Sequence, residues 1–106
     1  DHASPMLLVD PDTGRIERAN RAACEFYGYD ADAFTDRSVD DINALPADAV
    51  ADRRAAADAG DENHFEFEHE LADGEVRPVD VYSTPISVAG DDVLFSIVHD
   101  ASHRER

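Results

Sequence analysis

The side chains that could do chemistry in this chain fall at spacings that do not support catalysis. Glu66, Glu68 and Glu70 alternate with apolar or aromatic residues, so a solvated strand face explains them better than paired catalytic carboxylates do. His64 and His69 are five residues apart on the same predicted strand, so they point to opposite faces and cannot share a metal ion. No nucleophile-elbow, phosphate-loop or zinc-ligand spacing occurs. The sequence therefore predicts a domain that is not an enzyme and holds no metal.

Cys24 is the single cysteine and lies among apolar residues of a predicted helix. A buried, inert thiol is the favoured interpretation, and a redox sensor is the alternative. One cysteine cannot form an internal disulfide, which fits a reducing cytosol. No apolar run approaches the ~20 residues of a membrane span, and no signal peptide is recognised. We therefore expect a cytoplasmic location and no membrane contact by this domain.

The net charge is the strongest feature of the composition. Acidic residues number 25 against nine basic ones, which gives a net charge of −16. Nucleic-acid binding by this domain is not expected, because phosphate contacts need clustered basic residues. Self-repulsion of this size should destabilise the fold in dilute salt, whereas a Debye length of about 3 Å at 1 M removes most of it. The composition predicts adaptation to a salt-rich cytosol; an acidic surface for a basic partner is the less favoured alternative, because the acids are spread along the whole chain.

The length of 106 residues suits one domain, and the spacing of its apolar residues changes once along the chain. The first half predicts a hairpin of two short strands, 6–9 and 15–19, and then helical segments. Asn20 and Ser38 are placed to cap helices, while Gly28 and Gly60 are placed to end them. The predicted helical segments are 20–27, 30–34, a turn after Ser38, and 47–59.

Beyond Glu62 the apolar period becomes two, which indicates strands. Asp73-Gly74 predicts a two-residue hairpin turn, and Ala89-Gly90-Asp91 predicts another turn. Pro85 argues for an edge position or a bulge in the strand that carries it. The predicted strands run from about 65 to 71, from 76 to 88 and from 93 to 100.

This order of elements and its motifs resemble a PAS domain from Met6 to Arg104. The motifs are L-L-V-D-P-D-T-G-R-I at 7–16, N-R-A-A-C-E-F-Y-G-Y at 20–29, the Asp73-Gly74 hairpin, V-Y-S-T-P-I at 81–86, and D-A-S-H-R at 100–104. The last motif departs from the usual D-I-T-x-R/K form at Ala101 and Ser102, but it keeps the aspartate that joins the last strand to the exit linker.

The resemblance implies an α+β fold: a five-stranded antiparallel sheet with short helices packed over one face. It implies a single domain over 1–106, with a core of about 6–100 and the start of an exit linker at 101–106. Family members hold a flavin, a heme, another chromophore, a small metabolite or nothing between sheet and helices. With His69 pointing inward, strand alternation and the helix pattern give the predicted ligand-binding residues. They are Leu7, Val9, Ala23, Phe26, Ile42, Phe65, Phe67, His69, Val79, Val81, Ser83, Leu94, Ser96 and Val98.

Three polar residues interrupt this predicted apolar pocket: His69, Ser83 and Ser96. The serines either bond to a neighbouring backbone or contact a ligand, and His69 is either a satisfied core histidine or a ligand contact. The small residues predict a modest cavity for a small planar apolar ligand of unknown identity. Flavin is disfavoured because the photoreactive-cysteine motif is missing from 38–45, and heme because the helix at 47–59 contains no histidine.

The opposite sheet face is also apolar, and in PAS domains this face packs against a partner. The predicted interface residues are Tyr82, Ile86, Val93, Phe95 and Ile97, and we expect a homodimer. The predicted signal-relay residues are Asp100, Ser102 and Arg104. The resemblance implies a sensor that regulates an output domain of the same chain, a histidine kinase or a related regulator by analogy. The alternative is a ligand-free interaction and dimerisation module.

Overall fold

A computed structural model describes residues 3–102, which form one five-stranded sheet and four short helices. The strands are β1 (Met6–Val9), β2 (Ile16–Ala19), β3 (His64–Glu70), β4 (Val76–Val88) and β5 (Asp91–Asp100). The helices are α1 (Arg21–Tyr27), α2 (Ala31–Phe34), α3 (Val39–Ile42) and α4 (Ala47–Asp58). All neighbouring strands are antiparallel in the order β2-β1-β5-β4-β3. The predicted fold class is confirmed, and the last strand lies at the centre of the sheet.

Asn20 fixes the start of α1 and ties it to the first strand. Its side-chain oxygen accepts hydrogen bonds from the Ala23 and Met6 backbone N–H groups, each at 2.9 Å. Its amide nitrogen donates to the Ser4 carbonyl at 2.9 Å. One side chain therefore caps a helix and holds the N-terminal strand against it. At the other end Gly28 has φ +85° and donates its N–H to Cys24, as predicted.

Arg54 on α4 joins three separate segments of the helical layer. It donates to the Pro11 carbonyl at 3.1 Å in the β1–β2 turn and to the Asp40 carboxylate at 3.2 Å in α3. The turn approaches so closely that a Cβ on Gly14 would lie 2.5 Å from the Arg54 guanidinium. Gly14 also has φ +77°, a backbone conformation that favours glycine, and a side chain there would displace the Arg54 guanidinium.

The two hairpin turns of the large strands differ from the prediction. Leu71 and Glu75 pair through Leu71 N–H to Glu75 O at 2.8 Å, so the first loop has three residues. Within it only Gly74 has a positive φ, +90°, whereas a two-residue turn of the Asp-Gly type needs two such residues. The prediction of a two-residue turn at Asp73-Gly74 is therefore wrong. In the second hairpin, between β4 and β5, Ala89 (φ +52°) and Gly90 (φ +87°) form a two-residue turn. Val88 therefore pairs with Asp91, and β5 begins two residues earlier than predicted.

Pro85 lies where the prediction expected it, on an unpaired side of its strand. The β3–β4 register ends at His64 opposite Tyr82, and beyond that point β4 pairs only with β5. A proline there removes no ladder hydrogen bond between β3 and β4.

None of the helices within 3–102 has the length and apolar character needed to cross a membrane.

Candidate functional site

A cavity of about 60 Å³ lies between the inner face of the sheet and the helices α3 and α4. Ten of the predicted ligand-binding residues line it. They are Leu7, Val9, Phe65, Phe67, His69, Val81, Ser83, Leu94, Ser96 and Val98. The alternation of the strands therefore located the sheet side of the cavity correctly.

Four other predicted ligand-binding residues, Ala23, Phe26, Ile42 and Val79, do not line this cavity. Ala23, Ile42 and Val79 are buried in the adjoining core, and Phe26 packs against it half-buried. The fully buried rings of Tyr27 and Phe34, with centroids 5.1 Å apart, belong to the same core cluster. The open space is therefore confined to the α3–α4 side.

The helix side of the cavity was missed by the sequence reasoning. It consists of Val39, Asn43, Val50, Arg53, Arg54 and Ala57. The α4 members recur at i, i+3, i+4 and i+7, which is one helix face and could have been recognised as such. Two arginines made this face of α4 resemble a solvent-exposed one, although the Arg54 side chain is only 9% exposed. Long arginine side chains can cover apolar surface with their methylene groups.

His69 forms a buried pair with Tyr27. The Tyr27 hydroxyl lies 2.7 Å from His69 Nδ1, and the two rings are 5.8 Å apart. Burial lowers the pKa of His69 to about 4 and raises the pKa of Tyr27, so both groups are neutral near pH 7. His69 is thus a satisfied core histidine through Nδ1. Within residues 3–102, Nε2 has no hydrogen-bond partner.

Ser83 and Ser96 bond to each other rather than to a neighbouring backbone. They are direct partners in the β4–β5 register, and their hydroxyl oxygens are 2.8 Å apart in a buried position. One hydroxyl donates to the other, so the pair keeps one free O–H donor and several acceptor lone pairs. The cavity therefore has an apolar wall with two polar positions, the imidazole and the serine pair.

The end of β5 is fixed by the predicted relay residue Asp100. Its carboxylate accepts from the Ser102 N–H at 2.8 Å, from the Ser102 hydroxyl at 2.6 Å and from Arg77 at 3.0 Å. Partial burial acts to raise the pKa of Asp100, but the bonds from Ser102 and Arg77 outweigh it and hold the pKa below its usual value. Ala101 also donates to the Pro78 carbonyl at 2.9 Å. The third predicted relay residue, Arg104, lies outside the described residues.

The outer face of the sheet is less exposed than predicted. Tyr82 is 42% and Ile86 37% exposed, whereas Phe95 and Ile97 are half-buried. The expectation of an exposed side chain is wrong for Val93, which is 5% exposed. Ile86 is its direct partner across the β4–β5 ladder, and side chains at such positions cover one another.

Cys24 is half-buried in α1 and has the surroundings of an unreactive thiol. Burial, followed by the charges of Asp30 and Glu25, raises its pKa. The thiolate is the nucleophile and metal ligand of cysteine, and it is disfavoured here.

Comparisons with known proteins agree with this architecture. The chain is 36% identical over 107 residues to the diguanylate cyclase DgcM of Escherichia coli K12, covering 99% of this chain and 26% of that protein. It therefore spans about a quarter of the length of the curated relatives that it matches.

Solved structures show the same fold. A PAS domain from Desulfitobacterium hafniense superposes with a TM-score of 0.85 at 20% identity, covering 92% of each chain. The PAS domain of an HTR-like protein from Haloarcula marismortui gives 0.81 at 25% identity, covering 94% of this chain and 83% of that one. A sequence profile described as a PAS domain matches residues 4–103. This chain belongs to the PAS domain family.

Proposed function

We propose that this PAS domain senses a small apolar or aromatic ligand in the α3–α4 cavity and relays its occupancy through β5 to an output domain. The observation that carries the proposal is the cavity itself, a mainly apolar pocket with His69 and the Ser83–Ser96 pair on its wall. Ligand sites are mostly apolar with a few placed polar groups, and this wall has that composition. The imidazole Nε2 and the serine pair are the groups that would orient a ligand.

The size of the cavity limits what it holds without rearrangement. Its volume of about 60 Å³ exceeds the roughly 10–15 Å³ that one water needs but is well below the roughly 300–1,000 Å³ of drug-sized sites. A bicyclic ligand therefore requires α4 to move outward. The N-cap of α4 is Pro46, which makes no side-chain cap bond. We expect α4 to be the element that moves, and this movement would have to break the Arg54 bonds to Pro11 and Asp40.

The path to an output domain runs along the central strand. Ser96 lies on β5, and the same strand ends at Asp100, where Arg77, Ser102 and the Pro78 carbonyl hold the chain. A ligand that breaks the Ser83–Ser96 bond changes the β4–β5 ladder directly. The change then reaches Asp100 within a single strand.

The output domain is proposed by analogy. The relative DgcM is named a diguanylate cyclase, and the family resemblance favoured a histidine kinase or a related regulator. We propose an enzymatic signalling domain of one of these classes, in the same polypeptide and in the cytoplasm. The PAS domain itself would supply regulation and no catalysis.

A ligand-free dimerisation module is the second candidate, favoured by the small cavity and by exposed Tyr82 and Ile86 on the outer face. In a homodimer of this type, Phe95→Glu lowers self-association measured by sedimentation. In the sensor, Phe95→Glu leaves ligand binding intact, because Phe95 does not line the cavity.

Ser96→Leu tests the proposed function. The larger side chain fills the cavity and removes one serine of the pair, so binding of indole, used as a probe, should weaken at least about tenfold in calorimetry. Ser87→Leu, at an exposed position on β4, is the matched control and should bind indole like the wild type. Equal binding by all three proteins would place the site elsewhere. Circular dichroism melts establish that each variant is folded.

A further inference from the structure

A group of possible metal ligands lies on the outer face of the sheet, on the side opposite the cavity. His64 and Glu66 are two residues apart on β3, and Asp80 on β4 is the direct partner of Glu66. One ligand atom from each of the three side chains lies within 4.8 Å of the other two. The sequence reasoning missed this group because Asp80 is far from the histidine in the chain and only the strand register brings it alongside.

The distances within the group suit a metal ion. His64 Nε2 lies 2.9 Å from Asp80 Oδ1. Metal–nitrogen and metal–oxygen bonds of about 2.0–2.2 Å place neighbouring ligands on the order of 3 Å apart. The His64 ring is also held in place, because it stacks on Tyr82 with centroids 4.6 Å apart. The imidazole and the aspartate are therefore already near the separation that a shared ion requires.

The charges in the group favour a cation. Glu66 and Asp80 are directly opposite each other, and like charges at such positions destabilise a sheet. Asp80 is only 5% exposed, so water solvates its carboxylate poorly. His64 already bonds to the Asp80 carboxylate, and a divalent ion between the two carboxylates would carry the charge opposite to both of them.

We propose that His64, Glu66 and Asp80 bind one divalent transition-metal ion of the Zn²⁺ type. The ion takes one imidazole nitrogen and two carboxylate oxygens, and water completes the coordination. Imidazole selects such ions over Mg²⁺ and Ca²⁺, which prefer all-oxygen sites. The ion binds the Nε2 lone pair, so the imidazole carries its one proton on Nδ1, and a proton that was on Nε2 passes to Nδ1 through solvent. The bound ion crosslinks the edge strand β3 to β4, and this site is independent of ligand binding in the cavity.

Zn²⁺ titration calorimetry of the 106-residue chain tests the proposal, in about 1 M KCl so that the Debye length is about 3 Å and diffuse charge is screened. We expect one Zn²⁺ per chain and an affinity loss of roughly tenfold or more in His64→Gln and in Asp80→Asn. Glu68→Gln is the matched control, because Glu68 is an exposed acid on the same strand face. It should bind Zn²⁺ like the wild type, and excess Mg²⁺ should not displace the ion.

Three results would overturn the site: no Zn²⁺ binding, retained affinity in His64→Gln, or equal weakening by Glu68→Gln and Asp80→Asn. The last result would mean that the acidic surface as a whole attracts the ion. If Asp80→Asn does not fold, Glu66→Gln replaces it, because Glu66 is exposed. Co²⁺ gives a second readout, since its visible absorption should show nitrogen ligation in the wild type and lose it in His64→Gln. An unchanged Co²⁺ spectrum in that variant also contradicts the proposal.

Discussion

At the scale of single residues, the buried Tyr27–His69 pair sets the character of the site. Both groups are neutral near pH 7, so the cavity wall carries hydrogen-bonding capacity without a net charge. The pair also joins α1 to β3 across the core. This dual role predicts that the pair is important for stability as well as for ligand orientation.

Removal of the tyrosine hydroxyl should destabilise the fold. In Tyr27→Phe the buried His69 Nδ1 loses its partner at 2.7 Å, which should lower the free energy of unfolding by about 1–3 kcal/mol. Tyr29→Phe is the matched control, because no hydrogen bond involves the Tyr29 hydroxyl within residues 3–102. Urea unfolding in concentrated KCl measures both. Equal effects of the two variants would show that the Tyr27–His69 bond contributes nothing specific.

His69 should also make stability depend on pH. Its folded pKa of about 4 is below the ordinary value of 6.5, so protonation favours the unfolded chain. Its contribution is complete above pH 6.5 and is lost as the pH falls toward 4, by up to about 1.4 kcal/mol per pH unit. Carboxylates also titrate in this range, so the wild type is compared with His69→Phe, in which they titrate alike. A stability difference that stays constant between pH 7 and 5 would contradict a buried neutral imidazole.

At the scale of elements, the sequence correctly predicted the helix ends that are fixed by nearby residues. Asn20, Gly28 and Ser38 act at helix ends through bonds to residues a few positions away, and all three predictions are confirmed. The errors have two causes, a competing local turn and contacts with partners that are distant in sequence. Asp73-Gly74 suits a two-residue turn and also a three-residue loop with Gly74 at the positive φ, and the structure has the latter. Nothing near Arg54 indicates that it faces the β1–β2 turn. The cavity was predicted from its strands and missed on its helix side, because Arg53 and Arg54 made the lining face of α4 resemble a solvent-exposed one.

The cap of α1 can be tested against a cap that makes no bond. Asn20→Ala removes bonds to Ala23, Met6 and Ser4 and should lower the unfolding free energy by about 1–2 kcal/mol. Asp30 occupies the N-cap of α2 without a side-chain cap bond, so Asp30→Ala should cost under about 0.5 kcal/mol. Urea unfolding distinguishes them, and similar losses for the two variants would refute the assigned role of Asn20.

At the scale of the whole molecule, the dominant feature is the repulsion among its acidic residues. The net charge of −16 is offset by few contacts: in the described part of the chain, only Arg21, Arg54 and Arg77 form ion pairs between arginine and carboxylate. The Arg21–Glu25 pair is 91% and 68% exposed at its two side chains, and pairs of this kind contribute little. The fold must therefore tolerate most of its self-repulsion or depend on salt to screen it.

The melting temperature should rise steeply with KCl. At about 0.01 M salt the Debye length is near 30 Å, comparable to the whole domain, and at about 1 M it is near 3 Å. Because native stability is only ~5–15 kcal/mol, a few kcal/mol of unscreened repulsion removes much of it. Thermal melts across a KCl series measure this dependence. A melting temperature that does not change with salt would leave a basic partner as the better explanation of the acidic composition.

Backbone NMR during an indole titration in concentrated KCl measures whether occupancy of the cavity reaches the end of β5. We expect saturable shifts at the amides of Ser83 and Ser96, accompanied by shifts at Ala101, while Glu25 on α1 stays unchanged. Shifts that leave the cavity wall unaffected, or that follow protein concentration at Tyr82 and Phe95 instead of indole, would contradict it.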